Sequence, residues 1–172
     1  MKIISVFVSS LDGKITKGER SPSLWASEED QEFFKKTLEE NKCIVMGSGT
    51  FDARYIKSQE GKLRIVLTRN PEQYEKHKVS EQLEFSNENP RELAARLEKA
   101  GYTQMLLVAG SQVTTAFFKE KLIDELWLTL EPKMFGKGKQ ILTEEVEISL
   151  QLLEYKKLNE QGTMVLKYIV EK

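Results

Sequence analysis

Short apolar runs, each closed by small or polar residues and most followed by a helix-like stretch, set the strongest limit on how this chain folds. Ile3 to Ser9, Cys43 to Met46, Leu63 to Leu67 and Met105 to Val108 are apolar almost throughout. Runs of this length read as strands, and strands without polar alternation are buried on both faces. Such strands, alternating with helices, belong in a mostly parallel sheet covered on each side. The helical intervals carry recognisable ends. Ser27 is an N-cap followed by Glu28, Glu29 and Asp30, which suit the positive end of a helix. That helix is expected to run to about Glu40, with Phe33, Phe34 and Leu38 on its buried side and Asn41 as its stop. Asn89 or Pro90 opens a second helix through about Ala100, ended by Gly101. Thr114 to Lys121 reads as a third. Leu83 to Phe85 and Glu125 to Leu130 are further strands, and Lys14 to Leu24 is a loop.

The last part changes character. Leu150 to Leu158 and Met164 to Val170 are strand-like and separated by Asn159, Glu160, Gln161 and Gly162. This is a hairpin signal, and it adds an antiparallel edge to the sheet. No repeat, linker or low-complexity segment divides the chain, so a single α/β domain over residues 1–172 is expected.

Composition narrows the function classes. The net charge is −1, from 26 basic and 27 acidic residues, so no overall field attracts nucleic acid or an anionic membrane. No apolar run approaches the length of a spanning helix. The N-terminal stretch lacks the long apolar region of a signal peptide, and a cytoplasmic location is expected. The lone cysteine, Cys43, lies in an apolar run and reads as a buried structural thiol. The lone histidine, His77, lies in a polar stretch and reads as solvated, which leaves no metal site and no Ser-His-Asp chemistry.

Polar and glycine residues gather at the ends of the apolar runs. In an open α/β sheet ligands bind outside the carboxyl ends of the strands. Four runs end in Ser9-Ser10-Leu11-Asp12-Gly13, Met46-Gly47-Ser48-Gly49-Thr50, Leu67-Thr68-Arg69-Asn70 and Val108-Ala109-Gly110-Ser111-Gln112. Gly47 and Gly49 let a backbone approach a ligand, and Thr50 offers a hydroxyl. Gly110, Ser111 and Gln112 lead into a helix whose first N–H groups lack internal partners, a phosphate-binding feature. Arg69 has the forked donor geometry for a phosphate or carboxylate. Together these point to a phosphorylated cofactor across the strand ends. Asp12-Gly13 is turn chemistry in its own right.

The stretches SLDGKI, LWASEED, MGSGTFDAR, IVLTRNP, LLVAGSQVTTAFF, LIDELWLTLEPKMFGKGKQIL and the final hairpin follow one another in order. In that order they resemble the pyrimidine reductase of riboflavin biosynthesis, the reductase-domain family with a dihydrofolate reductase-like fold. The resemblance covers nearly the whole chain. It implies a three-layer αβα domain, with a C-terminal antiparallel hairpin, that binds NADPH and reduces a C=N or C=O carbon of a heterocyclic or ribosyl substrate. Trp25 matches the Trp beside the cofactor, and Ser23 a substrate-contacting position. Thr50 matches a cofactor-contacting Thr, and Thr68 and Arg69 the receptor of the adenosine 2′-phosphate. Gly110, Ser111, Gln112 and Val113 match the pyrophosphate turn and helix start.

The chain departs from the family where some members carry a Glu before that turn, since Val108 stands here. It departs again where an Arg near the end of the first helix holds the ribose phosphate of the substrate. Here the residues are Thr37, Leu38, Glu39 and Glu40, and Arg54 and Arg64 are the alternative cations. Asp12 is the preferred catalytic residue, as proton donor or as an orienting group. Glu28, Glu29 and Asp30 are the other acids near the site, and Glu28 is placed with Ser23 on the substrate side. A buried proton donor would have its pKa raised by desolvation. Two alternatives stand beside the pyrimidine reductase reading. One is a pterin reductase of the dihydrofolate type, which carries an isolated acid on an apolar helix face where this chain crowds acids into the first turn. The other is a catalytically silent NADPH-binding module. A homodimer is expected from the resemblance, with Trp127 and Leu128 and the late hairpin as the pairing surface.

Overall fold

The computed structural model describes residues 1–54 and 57–172 of the chain. Its strands are β1 Lys2–Ser10, β2 Cys43–Gly47, β3 Leu63–Leu67, β4 Leu83–Ser86, β5 Gln104–Leu107, β6 Glu125–Glu131, β7 Leu150–Lys157 and β8 Met164–Val170. Its helices are α1 Glu28–Glu40, α2 Ser48–Arg54, α3 Pro90–Lys99 and α4 Ser111–Lys119, with short 3-10 turns at Pro22–Leu24 and Pro71–His77. The strands form one eight-stranded sheet in the order β4-β3-β2-β5-β1-β6-β8-β7. Pairing is parallel from β4 through β6. It is antiparallel from β6 through β8 to β7. The expected α/β architecture, with its mostly parallel sheet and antiparallel C-terminal hairpin, is the one found.

Alternate residues of the central strands feed two cores. Ile3, Val45, Ile65, Met105 and Leu107 face Leu93 and Leu97 of α3 and Phe117 and Phe118 of α4. Ile4, Val6, Ile44, Met46, Val66 and Leu106 face the other way, against Phe34 and Leu38 of α1 and Phe51 of α2. The helices therefore make outer layers on both faces, which is why these strands read as continuous apolar runs.

The helix ends follow the expected chemistry. Asn89 and Glu92 form a capping box at α3. The Ser27 hydroxyl accepts from the Asp30 N–H at 3.3 Å. The inner side of α1 is more polar than expected, with Asp30 and Thr37 buried alongside Phe34 and Leu38. Thr37 donates to the Phe33 carbonyl at 2.8 Å, and Asn41 closes the helix by donating to the Thr37 carbonyl at 2.7 Å.

Some expectations fail for physical reasons. The helix α2, which the sequence reading did not place, starts at Ser48, directly after β2. Glycine costs a helix about 1 kcal/mol, and here the burial of Phe51 in the second core outweighs it. His77 is half-buried and not fully solvated, its ring 5.9 Å from that of Phe51, itself beside Tyr74 and Phe85. Trp127 and Leu128 lie inside the sheet and not at its edge. β6 lies between β1 and β8, with Lys167 Nζ 4.5 Å above the Trp127 ring. Cys43 is fully buried, and burial pushes its thiol up to about 12. No helix among the described residues is long and apolar enough to cross a membrane.

Leu97 of α3 is fully buried in the first core. Leu97→Ala is expected to cost about 2–5 kcal/mol of unfolding free energy, read from urea denaturation. A loss below about 1 kcal/mol would mean that α3 is not packed on the sheet in this way.

Candidate active site

The chain leaves neighbouring strands toward opposite faces of the sheet. After β1 it runs to α1, and after β2 to α2, both on the second-core side. After β5, which lies between β1 and β2, it runs to α4 on the first-core side. Loops that part in this way leave a crevice at the carboxyl ends of the strands. Gly110 stands at its centre, and the β1 and β2 ends flank it.

The β2 and β5 ends meet directly. A Cβ on Gly47 would lie 3.4 Å from Val113 Cγ2 at the head of α4. Gly110 is the N-cap of α4 and offers no side-chain cap. The first helical bond there is Thr114 N–H to the Gly110 carbonyl at 3.2 Å. The N–H groups of Ser111, Gln112 and Val113 thus lack intrahelical partners, at the positive end of a helix dipole. Ser111 donates its hydroxyl to the Gln140 carbonyl. Gly49 and Thr50 lie in the first turn of α2, and a Cβ on Gly49 or Gly110 would meet nothing within 4 Å. At the β3 end the Thr68 hydroxyl accepts from the Asn70 N–H at 3.3 Å. Arg69 is exposed, with no ion pair among the described residues.

On the far side of Gly110, past β1, the 132–140 segment folds over the 11–18 loop. Leu11 N–H donates to the Lys133 carbonyl at 2.8 Å, Ile15 N–H to Lys139 at 2.8 Å and Gly18 N–H to Lys137 at 3.1 Å. Gly138 makes this possible, because a Cβ there would lie 2.0 Å from the Thr16 carbonyl oxygen.

Asp12 is the clasp of this flap. Its carboxylate accepts from the Ser10 hydroxyl at 2.6 Å, from Phe135 N–H at 3.1 Å and from Gly136 N–H at 2.7 Å. The Ser10 hydroxyl, ahead of the two backbone donors, holds its pKa down at about 2. The shift runs opposite to the rise that desolvation gives a buried proton donor, and the three donors make the carboxylate a tie between the two loops. Asp12 also lines a cavity of about 550 Å³ whose opposite wall is Gln140–Glu145.

Trp25 is buried beneath the same flap. Its ring meets Phe135 edge to face at 4.9 Å, and its carbonyl accepts from Lys133 Nζ. Its indole N–H is buried with no hydrogen-bond partner. Ser23 is exposed in the preceding 3-10 turn, its hydroxyl 2.8 Å from that of Ser21.

The helix-head acids separate by burial. Glu28 is exposed. Glu29 is exposed too, and the Asn159 side-chain amide lowers its pKa. Asp30 is buried, one helical turn before Phe34. α1 returns from the end of β1 to the start of β2, so its head lies at the crevice end of the sheet. Sequence reasoning missed Glu131, which is 1 % exposed at the end of β6. It accepts from Ser27 N–H at 2.7 Å and from the Thr163 hydroxyl at 3.0 Å, joining α1, β6 and β8. An acid closing the apolar run ELWLTL was its only sequence signal. Arg64 is not at the crevice. It sits near the start of β3, beside Lys62, whose Nζ caps the Leu38 and Glu39 carbonyls at the tail of α1. The Arg54 side chain lies outside the described set.

A family model described as the RibD C-terminal domain matches residues 1–166. The chain belongs to that family. It is 26% identical over 160 residues to the uncharacterized protein YwjB of Bacillus subtilis (strain 168), covering 87% of this chain and 89% of that one. Among solved structures, a putative riboflavin biosynthesis protein from Shewanella sp. PV-4 aligns over 100% of both chains, with a TM-score of 0.79 and 22% identity. A diaminohydroxyphosphoribosylaminopyrimidine deaminase/5-amino-6-(5-phosphoribosylamino)uracil reductase from Thermotoga maritima aligns with a TM-score of 0.75 and 16% identity. The match takes in 98% of this chain and 56% of that one. A dihydrofolate reductase from Enterococcus faecalis, complexed with NADP(H), aligns over 99% of this chain and 97% of its own, with a TM-score of 0.70 and 19% identity. The RibD-family crevice in this chain thus sits on a dihydrofolate reductase-like fold.

The lowered pKa of Asp12 gives the flap a pH signature. Asp12 is more acidic folded than unfolded, so its contribution is present above the unfolded pKa of 3.8 and lost as pH falls through about 2. Asp12→Asn is expected to lower the urea midpoint at pH 7 by an amount that shrinks below about pH 4. A difference unchanged between pH 7 and pH 3 would show that the carboxylate charge is not what holds Phe135 and Gly136.

Proposed function

We propose that this RibD-family chain is an NADPH-dependent reductase acting on a C=N or C=O carbon of a ribosylated aminopyrimidine phosphate. The observation that carries the reading is the meeting of Gly47 with the head of α4, which brings two strand ends together at a helix N-terminus. The residues present suit a dinucleotide. The buried Trp25 indole N–H has no hydrogen-bond partner, and space is open around Gly49 and Gly110. Gly110, Ser111, Gln112 and Val113 would hold the pyrophosphate, Thr68 and Arg69 the 2′-phosphate, and Gly47, Gly49 and Thr50 the segment between. Trp25 would lie beside the nicotinamide. Bound NADPH supplies the hydride.

The chain's own residues orient the acceptor, keep out water and hold a proton. Trp25 and Phe135 roof the crevice over the β1 and β6 ends. Asp12 keeps that roof closed, while Asp30, the buried member of the helix-head acids, is the better proton store. Ser23 and Glu28 stand at the rim on the substrate side. The Arg missing from the tail of α1 has a substitute of different origin. Lys14, Lys17, Arg20, Lys137 and Lys139 crowd the flap and make no ion pair among the described residues. They offer an anionic substrate a positive rim.

The burial of Asp30 favours a second reading, reduction of a pterin. That reading requires an acid on the inner face of the first helix, and Asp30 is one, although the sequence shows it only amid a crowd of acids. We further propose that the chain works in the cytoplasm and as a homodimer.

NADPH oxidation with an aminouracil ribosyl phosphate, and separately with dihydrofolate, tests the choice. The first substrate is expected to turn over. Asp30→Asn is expected to lower kcat by about 100-fold or more and leave NADPH affinity within about twofold. Turnover of dihydrofolate alone would select the second reading, and failure to bind NADPH would end both. Lys17→Glu with Lys139→Glu is expected to raise KM for the phosphorylated substrate about tenfold, with kcat kept. An unchanged KM would remove the flap from substrate binding.

A further inference from the structure

Arg64 has no part in the crevice, and its surroundings leave its charge unanswered. On β3 it alternates with Leu63 and Ile65, which belong to the first core, so its side chain points with Val66 to the α1 and α2 face. It is 7% exposed. Its Nε and Nη1 are buried with no hydrogen-bond partner among the described residues. Nη2 donates to Gln59 Oε1 at 3.2 Å. Burial lowers the pKa of the guanidinium, and no neighbouring charge offsets that effect. A desolvated cation without a counter-charge is strongly destabilising. Helix capping does not explain it. The last turn of α1 carries no basic residue, but its Leu38 and Glu39 carbonyls are already served by Lys62 Nζ. Packing does not explain it either, since an apolar side chain would fill the same place between Ile44 and Leu83 without the charge.

The group that meets the guanidinium is a neutral amide on a surface turn. Lys62 N–H donates to the Gln59 carbonyl at 3.2 Å, and Gly61, at φ +74°, closes the turn between them. Gln59 is exposed, so rotation of one surface side chain uncovers Nη2. Nη2 belongs to both forks of the guanidinium, one shared with Nε and the other with Nη1. An anionic oxygen in the place of Gln59 Oε1 therefore sets a second oxygen of the same group against a nitrogen that now lacks a partner. We propose that Arg64 is the floor of a binding site for a small carboxylic acid, with the Gln59 amide as its neutral cover. A planar carboxylate matches the planar fork and brings the missing charge, and one fork takes one carboxylate. Lys62, two residues earlier and reaching the tail of α1 on the same face, adds a second positive charge beside it. The site lies at the amino end of β3, at the opposite end of the sheet from the crevice, and does not rest on the reductase reading.

Titration of the ¹⁵N-labelled full chain with sodium acetate, with sodium chloride keeping the ionic strength constant, tests the site through the Arg64 Nε–H resonance. The expected result is a saturable shift of that resonance. Gln59→Glu places a carboxylate of the chain itself on the fork. It is expected to raise the thermal midpoint by about 2–4 °C and to weaken the acetate response about tenfold or more. Arg64→Met removes the buried charge and is expected to keep or raise the midpoint in chloride and to lose any stabilisation by acetate that the wild type shows. Absence of a saturable acetate shift, a response to inorganic phosphate and not to acetate, or a Gln59→Glu variant less stable than the wild type would each overturn the assignment. So would a lowered midpoint in Arg64→Met, which would make the guanidinium part of the fold. None of these outcomes depends on NADPH or on turnover.

Discussion

The placement of β5 between β1 and β2, with its exit to the opposite face, is the constraint from which the rest of the molecule follows. Because the chain turns one way after β1 and β2 and the other way after β5, the crevice between these ends cannot be closed by the loops themselves. The buried, two-faced apolar strands are what enforce this arrangement. Each strand must be covered on both sides, so the helices divide between two layers, and the layers part at Gly110. Gly47 then brings the β2 end so near the head of α4 that a Cβ there would lie 3.4 Å from Val113 Cγ2.

The two sides of the crevice are built differently. The side from β5 to β3 is backbone chemistry: helix-head N–H groups, glycines and a threonine turn. The side from β1 to β6 is a flap of two loops held by one carboxylate. Asp12 satisfies three donors at once, and Gly138 lets the loop backbones touch. Glu131 performs a parallel service below, fastening the head of α1 to β6 and β8. Both acids are spent on architecture. Asp30, also buried, lies at the head of α1, at the crevice end of the sheet.

Strand positions, the caps at Ser27 and Asn89 and the final hairpin were legible in the sequence, since apolar period and turn chemistry are local properties. The start of α2 was not, because glycine is a poor helix former and the burial of Phe51 that stabilises the helix is a tertiary property. The gathering of strand ends was legible, but the roles of the acids were not. Asp12, Glu28, Glu29 and Asp30 look alike in sequence and differ only in donors and burial, which tertiary contacts decide. The flap was hidden for the same reason: Phe135 and Gly136 lie more than a hundred residues from Asp12. Membership of the RibD C-terminal domain family agrees with the ordered motifs.

The central claim is that one crevice grips a dinucleotide through the head of α4 and the orphaned indole of Trp25. Titration of the isotopically labelled protein with NADP⁺, followed by amide and indole resonances, tests it most directly. The account predicts the largest shifts at the Gly110–Val113 amides and at the Trp25 Nε1–H. Saturation with shifts confined to the opposite end of the sheet, around Lys62 and Arg64, or with the Trp25 indole unmoved, would contradict it.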